Sequence, residues 1–253
     1  MMKKKNIFKG IAILCAAVSA VAMFQTIRIG YEYRQGEQEY SNLADIMVSP
    51  ASSGIYVTES AEGAAPIDVD FAALKKMNAN VVGWLYCKGT PINYPVVQSD
   101  DNSYYLNHLF DDQKNSSGAI FMDAMNAPDL SDANTIIYGH NMKNGTMFAA
   151  LENYDSQKYY EAHPVMYYLT KDRNYKIDVF ASYETSGGSD AFTIFFDSEQ
   201  TYSNYLQQRW NLSQIDTSWL PMTADDNIVT LSTCSYDFDD ARYVVQGKVT
   251  PLD

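Results

Sequence analysis

The sequence predicts a mainly β fold with helical additions, its strands closed or nearly closed into an eight-stranded barrel. Two observations carry this. Eight runs rich in Val, Ile, Tyr and Phe recur between turn residues: VVGWLYC, YPVVQ, GAIFMD, NTIIYGH, VMYYLT, YKIDVFASYET, NIVTLSTC and RYVVQGKV. Runs of that composition read as strands, and so many short ones at steady spacing suit a barrel. The chain also has 253 residues with 46% hydrophobic content, enough for one sizeable core and one main folded unit.

The elements follow in order. Lys3, Lys4, Lys5 and Lys9 precede an uncharged apolar stretch, residues 10–27, which Arg28 closes. As a helix this stretch just spans a bilayer. The lysines before it predict the N-terminus inside and the body outside, a single-pass cell-membrane protein with an extracellular domain. Val18-Ser19-Ala20 also fits a signal-peptide cleavage site, but the apolar sequence runs on to Ile27 and favours an uncleaved anchor. Residues 31–65 are polar and rich in small residues. They read as a juxtamembrane stalk, helical near residues 31–46. The expected division is a cytoplasmic tail and anchor over 1–30, the stalk over 31–65, and the main folded domain over 66–253. Residues 66–80 show an acidic first turn and Phe71, Leu74 and Met77 at helical spacing, so a helix is expected there. Further helices are expected over 102–109, 146–154 and 156–162, and a longer one over 198–212.

Charge excludes one class of partner. The net charge is −13, yet the first 34 residues hold six of the 18 basic side chains and one of the 31 acidic ones. The remainder carries 12 basic and 30 acidic groups, a net of −18. Such a body does not bind nucleic acid by neutralising phosphates. There is no Gly-rich phosphate loop, CxxC pair, HExxH or clustered acidic loop, so no cofactor and no metal is expected.

Of three cysteines, Cys15 lies in the apolar stretch, leaving Cys87 and Cys234. A Cys87–Cys234 bridge suits an oxidising space, but it would occupy a thiol with a better use. Cys234 ends NIVTLSTC. A short acidic turn follows, and Arg242 opens RYVVQGKV. If the two runs are antiparallel neighbours, thiol and guanidinium face each other across the turn. A thiolate attacks acyl carbon well but needs a cationic neighbour or a base. Of the histidines, His108 and His163 read as packing or loop residues. His140 ends an apolar run between Gly139 and Asn141 and is placed to project at a barrel rim. Arg242 is either a partner for Asp237, Asp239 or Asp240, or a fixed cation that holds an oxyanion or orients a carbonyl. Both readings stay open. Cys, His and Arg together point to acyl transfer through a thioester.

These residues resemble a known family. TLSTC with an arginine eight residues on, and YGHN upstream, look like a sortase. Residues 92–106 (INYPVVQSDDNSYYL), 118–123 (GAIFMD), 135–148 (TIIYGHNMKNGTMF) and 230–249 (TLSTCSYDFDDARYVVQGKV) resemble the class B members. The resemblance runs from about residue 71 to 249. It implies an eight-stranded barrel with N-terminal helices and a long helix between the sixth and seventh strands. It also implies a membrane-anchored transpeptidase on the outer face of Gram-positive bacteria. Its partners would be secreted proteins bearing a C-terminal sorting motif, NPxTN-like or (S/P)PxTG-like, and the amine of a peptidoglycan cross-bridge or its lipid-linked precursor. On this resemblance Cys234 is the nucleophile, His140 the general acid and then base, and Arg242 the oxyanion or backbone holder. Motif-binding contacts map onto Asn102, Leu106, Tyr138 and Ser232, with Phe192 in the loop before the long helix. The rivals are a cysteine peptidase that mainly hydrolyses, a pilin polymerase whose acceptor is a protein lysine, and a catalytically inert binding protein.

Overall fold

The computed structural model describes residues 2–51, 64–235 and 239–252. Helix α1 (Met2–Met47) leads into a two-stranded antiparallel ribbon, β1 (Val48–Pro50) with β2 (Ile67–Val69), and then a short helix, α2 (Phe71–Met77). Eight strands follow: β3 (Val81–Tyr86), β4 (Asn93–Val97), β5 (Ile120–Met122), β6 (Asn134–Tyr138), β7 (Val165–Leu169), β8 (Asn174–Ser186), β9 (Ile228–Cys234) and β10 (Ala241–Leu252). They close into a barrel in the order β10-β8-β7-β3-β4-β5-β6-β9. The β4–β5 and β6–β9 pairs are parallel and the others antiparallel. All eight apolar runs of the sequence are strands, so the eight-stranded barrel is found.

The parallel pairs matter for the site. Strand β6 reaches β9 only across the long excursion through β7 and β8. The ends of two apolar runs far apart in sequence therefore meet at one rim. Trp84, Tyr105, Phe148, Leu151 and Tyr168 fill the main core, each fully buried. A second cluster lies under helix α4 (Glu199–Leu212), where Tyr202, Tyr205 and Leu206 pack on Phe180, Tyr183 and Val244. Ser198 caps α4 by accepting from the Thr201 backbone N–H at 3.2 Å. This is the long helix between the sixth and seventh barrel strands.

Several helices differ from expectation. Residues 67–69 are a strand, because Ile67 turns inward in the ribbon with β1 and the helix waits for its cap. Asp70 is that cap, accepting from the Ala73 N–H at 2.9 Å. Phe71 and Leu74 are buried as the spacing predicts, but Met77 is 51% exposed. Over 102–109 only Tyr104–Leu106 is helical, a single 3-10 turn, since Asp101 takes the Ser103 and Tyr104 N–H groups into a tight turn. Residues 148–155 are likewise 3-10, and α3 (Gln157–Ala162) begins afresh after Ser156.

The helix expected near residues 31–46 is present, as the last part of α1. Helix α1 runs unbroken to Met47, and Tyr40, Leu43 and Met47 are buried against the barrel. The Tyr40 hydroxyl donates to the Gly118 carbonyl at 2.7 Å, Asn115 Nδ2 to the Glu32 carbonyl at 2.9 Å, and the Asp111 N–H to Glu39 Oε1 at 3.0 Å. Residues 31–47 are thus a docked helix. The reason is an apolar stripe, Tyr33, Tyr40, Leu43, Ala44 and Met47, on one face. Residues 52–63 of the expected stalk lie outside the described residues. Upstream, the exposed part of α1 is long and apolar enough to cross a membrane.

Candidate active site

Two paired strands bring the first two residues together. In the β9–β10 ladder Cys234 and Arg242 are direct Cα partners. The Ser235 N–H donates to the Ala241 carbonyl at 2.9 Å and closes the turn above them. All three cysteines are free, so no Cys87–Cys234 bridge forms. Cys87 sits in the core beside the Tyr154 hydroxyl, 3.7 Å away, and burial pushes its thiol up. Arg242 makes the aspartate ion pair that one of its two readings expected, and it also lines the groove described below. Its Nη2 lies 2.9 Å from Asp240 Oδ1 and its Nη1 donates to the Ala241 carbonyl at 3.0 Å. Asp240 is 59% exposed, so solvent screens the pair and it is worth little stability. The cation is held in place rather than consumed. Asp237 lies outside the described residues.

The histidine comes from β6. Tyr138 pairs with Ser232 of β9, and the Gly139 N–H donates to the Ser232 carbonyl at 3.1 Å. There the main chain leaves the sheet. His140 Nε2 sits 2.7 Å from the Leu106 carbonyl. A carbonyl only accepts, so Nε2 carries the proton. Gly139 is required for this exit, since a Cβ would fall 2.5 Å from Ile120 Cδ1 and 2.7 Å from Phe148 Cγ. Gly118, at φ +56°, lets the wall approach the imidazole: a Cβ there would lie 2.5 Å from the Tyr105 carbonyl oxygen and 3.1 Å from His140 Cδ2.

One groove, of about 260 Å³, is lined by Cys234, His140 and Arg242 together with Asn102, Leu106, Tyr138, Ser232 and Phe192. Every site residue named from the sequence lies in it. Leu106 is 43% exposed at its edge, which sets aside a core-packing role. Phe192 stands on a 3-10 turn, Asp190–Phe192, with its ring 6.2 Å from that of Tyr138. That turn is pinned from below. Its Ala191 carbonyl accepts from the Tyr205 hydroxyl at 2.9 Å and from Asn134 Nδ2 at 3.2 Å. Buried Arg209 of α4 reaches Asp190 Oδ1 at 3.0 Å. The Ser232 hydroxyl is buried and makes no hydrogen bond among the described residues.

Sequence reasoning missed three supports. Asp123 Oδ2 accepts from Asn102 Nδ2 at 2.8 Å and from the Tyr138 hydroxyl at 2.9 Å, so one buried carboxylate fixes both. Burial, and then the Asp123 charge, push the Tyr138 phenol well up, so it stays a donor. An acid at the end of the apolar run GAIFM was the signal available. The others are Gly118 and Asn141, the latter's Nδ2 donating to the Cys234 carbonyl at 2.9 Å. His108 and His163 are elsewhere. His108 stacks on Tyr104 with 4.1 Å between ring centroids, and His163 Nδ1 sits 3.1 Å from the Lys88 carbonyl. Among the described residues, no three His, Cys, Asp or Glu side chains are grouped to hold a metal ion.

Residues 85–250 match the family model described as Sortase domain. Sortase B of Listeria monocytogenes is 35% identical over 240 residues, covering 93% of this chain and 95% of that one. The chain belongs to the class B sortases. Among solved structures, the sortase resembles Staphylococcus aureus sortase B in a substrate complex at 35% identity. The TM-score is 0.69, over 72% of this chain and 85% of that one. Bacillus anthracis sortase B matches at 31% identity and TM-score 0.74, over 88% and 99%. The family is one of cysteine transpeptidases of the cell wall, and the barrel with its added helices is the family fold.

Proposed function

We propose that this sortase cleaves a C-terminal sorting motif, NPxTN-like or (S/P)PxTG-like, after its threonine and transfers the protein to a peptidoglycan amine. The supporting observation is that Cys234 and Arg242, from two paired strands, and His140, just past the end of a third, line one groove with all five expected motif contacts. The substrate complex known for the Staphylococcus aureus relative is consistent with a peptide in that groove.

In this reading Cys234 Sγ attacks the threonine carbonyl carbon, and the Arg242 guanidinium faces the oxygen as negative charge develops. The C–N bond breaks, and His140 gives its proton to the leaving amine. The resulting thioester on Cys234 meets the incoming amine. His140 takes the amine's proton, the new amide forms, and the thiolate leaves. The buried Ser232 hydroxyl, Asn102 and the Tyr138 phenol offer hydrogen bonds to the motif. Leu106, Phe192 and Phe121 offer apolar surface. Residues 10–27 anchor the enzyme in the cell membrane with the N-terminus inside and the catalytic domain, from residue 66, outside.

The test uses the full chain in detergent, wild type and Cys234→Ala, with a panel of sorting-motif peptides and with glycine or diaminopimelate-type amines. Mass spectrometry is expected to show a thioester on Cys234 that an amine converts to an amide. Cleavage persisting in Cys234→Ala would remove the nucleophile. Hydrolysis indifferent to every amine would mean a peptidase instead.

A further inference from the structure

We propose that Asn141 is a positioning residue for the nucleophile, supplying through its side chain the sheet rung that the main chain gives up so that His140 can leave the strand.

The ladder geometry carries this. In a parallel pair, one strand donates alternate N–H groups to alternate carbonyls of its neighbour. Here the Gly139 N–H donates to the Ser232 carbonyl at 3.1 Å. Two residues further on each strand, the next rung would join the Asn141 N–H to the Cys234 carbonyl. Strand β6 has already ended at Tyr138. The chain has turned towards residues 147–148, where the Phe148 N–H donates to the His140 carbonyl at 2.9 Å and Asn141 faces Met147. The Cys234 carbonyl is instead taken by Asn141 Nδ2 at 2.9 Å. The amide is in turn held by Glu152 Oε1, which accepts from Nδ2 at 2.7 Å.

Two demands conflict at this rim, and the amide reconciles them. A continued β6 would fix Cys234 but hold residue 140 in the sheet, away from the Leu106 carbonyl. A departing β6 frees His140 but leaves the last carbonyl of β9 without a sheet partner. Asn141 lets the backbone depart and still ties it to Cys234 by one residue's reach. Thiol and imidazole are thereby held on adjoining residues of one hydrogen-bonded clip. The prediction for turnover rests on the transpeptidase reading, whereas the geometric claim about Cys234 does not.

The experiment uses the full chain as Asn141→Ala and Asn141→Asp. It reads the pH profile of Cys234 alkylation by iodoacetamide, mass-mapped to that residue, then kcat and KM for a sorting peptide, and the melting temperature. Asn141→Asp preserves volume but sets a carboxylate against Glu152 and the Cys234 carbonyl; once ionised it cannot donate to either and adds negative charge near the thiol. Its alkylation profile is expected to move to higher pH. Asn141→Ala is expected to lower kcat between about tenfold and about a hundredfold at unchanged KM, the scale of a small misplacement of reacting groups. A wild-type profile and kcat in Asn141→Asp would overturn the proposal. So would an Asn141→Ala enzyme that melts earlier but alkylates and turns over as wild type. If wild type forms no acyl-enzyme while the alkylation profiles still shift, the transpeptidase reading fails and the positioning role stands.

Discussion

Replacing Gly118 by alanine puts a methyl group where the wall of the groove meets His140, the proposed general acid. Two costs can be separated. The residue sits at φ +56°, in the left-handed region, where a side chain costs about 1–2 kcal/mol. The methyl would also lie 2.5 Å from the Tyr105 oxygen, 2.9 Å from the Leu106 oxygen and 3.1 Å from His140 Cδ2. Two of these three neighbours are backbone atoms, so the segment itself must move. It carries the Leu106 carbonyl that receives the His140 N–H at 2.7 Å. A shift of that size at a reacting group is worth up to about a hundredfold in rate. Gly145→Ala is the matched control: φ is +83°, with nothing within 4 Å of the added methyl. Both variants are expected to lose a few degrees of melting temperature, at about 2–4 °C per kcal/mol for a chain of this size. Only Gly118→Ala is expected to slow acylation of Cys234, read as single-turnover thioester formation by rapid-quench mass spectrometry. Equal acylation rates in the two variants would refute the claim that the Leu106 carbonyl sets the working position of His140.

Other expectations follow from the supports around the groove. Asp123→Ala frees Asn102 and the Tyr138 phenol at once, each charge-assisted bond being worth about 1.5–3 kcal/mol. Peptide KM should rise by about tenfold or more, with kcat less affected, as measured by steady-state cleavage. Arg209→Ala removes a buried guanidinium that lies 4.9 Å from the Tyr205 ring centroid and pairs with Asp190. It should cost about 2 kcal/mol by chemical denaturation and loosen the Phe192 wall, with lysine failing to restore it. Glu39 is raised to about 7, first by burial and then by the Asp111 charge, from 4.5. Its folded pKa therefore exceeds its unfolded one. Its contribution is complete below 4.5 and is lost as pH rises through about 7. Glu39→Gln should flatten the fall of melting temperature across that window.

The barrel was legible because each strand is an apolar, β-branched or aromatic run stopped by turn residues, so burial and punctuation agree. The meeting of Cys234 and Arg242 was legible because they end and open two apolar runs joined by a short turn, and the ladder makes them direct partners. His140 had only its place at a strand end, which left packing open until the family resemblance singled it out. The docking of α1 was harder to read. Its apolar stripe, from Tyr33 to Met47, is thin and diluted by Glu, Gln and Ser, and its partner surface lies some eighty residues away in the segment around Asp111 and Gly118. Asp123 and Asn141 were hidden for a different reason. Each acts by holding another residue's atom, and one-dimensional spacing carries no trace of which carbonyl or hydroxyl a side chain will reach. The strand at 67–69 shows how an acidic residue taken as part of a first turn can instead stand outside the helix as its cap.

The unbroken course of α1 has a mechanical consequence. A helix is a stiff strut, rising about 1.5 Å per residue. From Ile27, at the end of the apolar stretch, to Tyr40, seated on the Gly118 carbonyl, it measures about 20 Å. With residues 10–27 in a bilayer, the groove has neither a long tether nor freedom to swivel. If residues 10–27 anchor the chain as proposed, the rod sets both its altitude and its heading. Such an enzyme works at one level, as a die mounted at a set height over a conveyor. On the proposed function, substrate tail and acceptor amine would both be brought to that level, a short distance above the membrane.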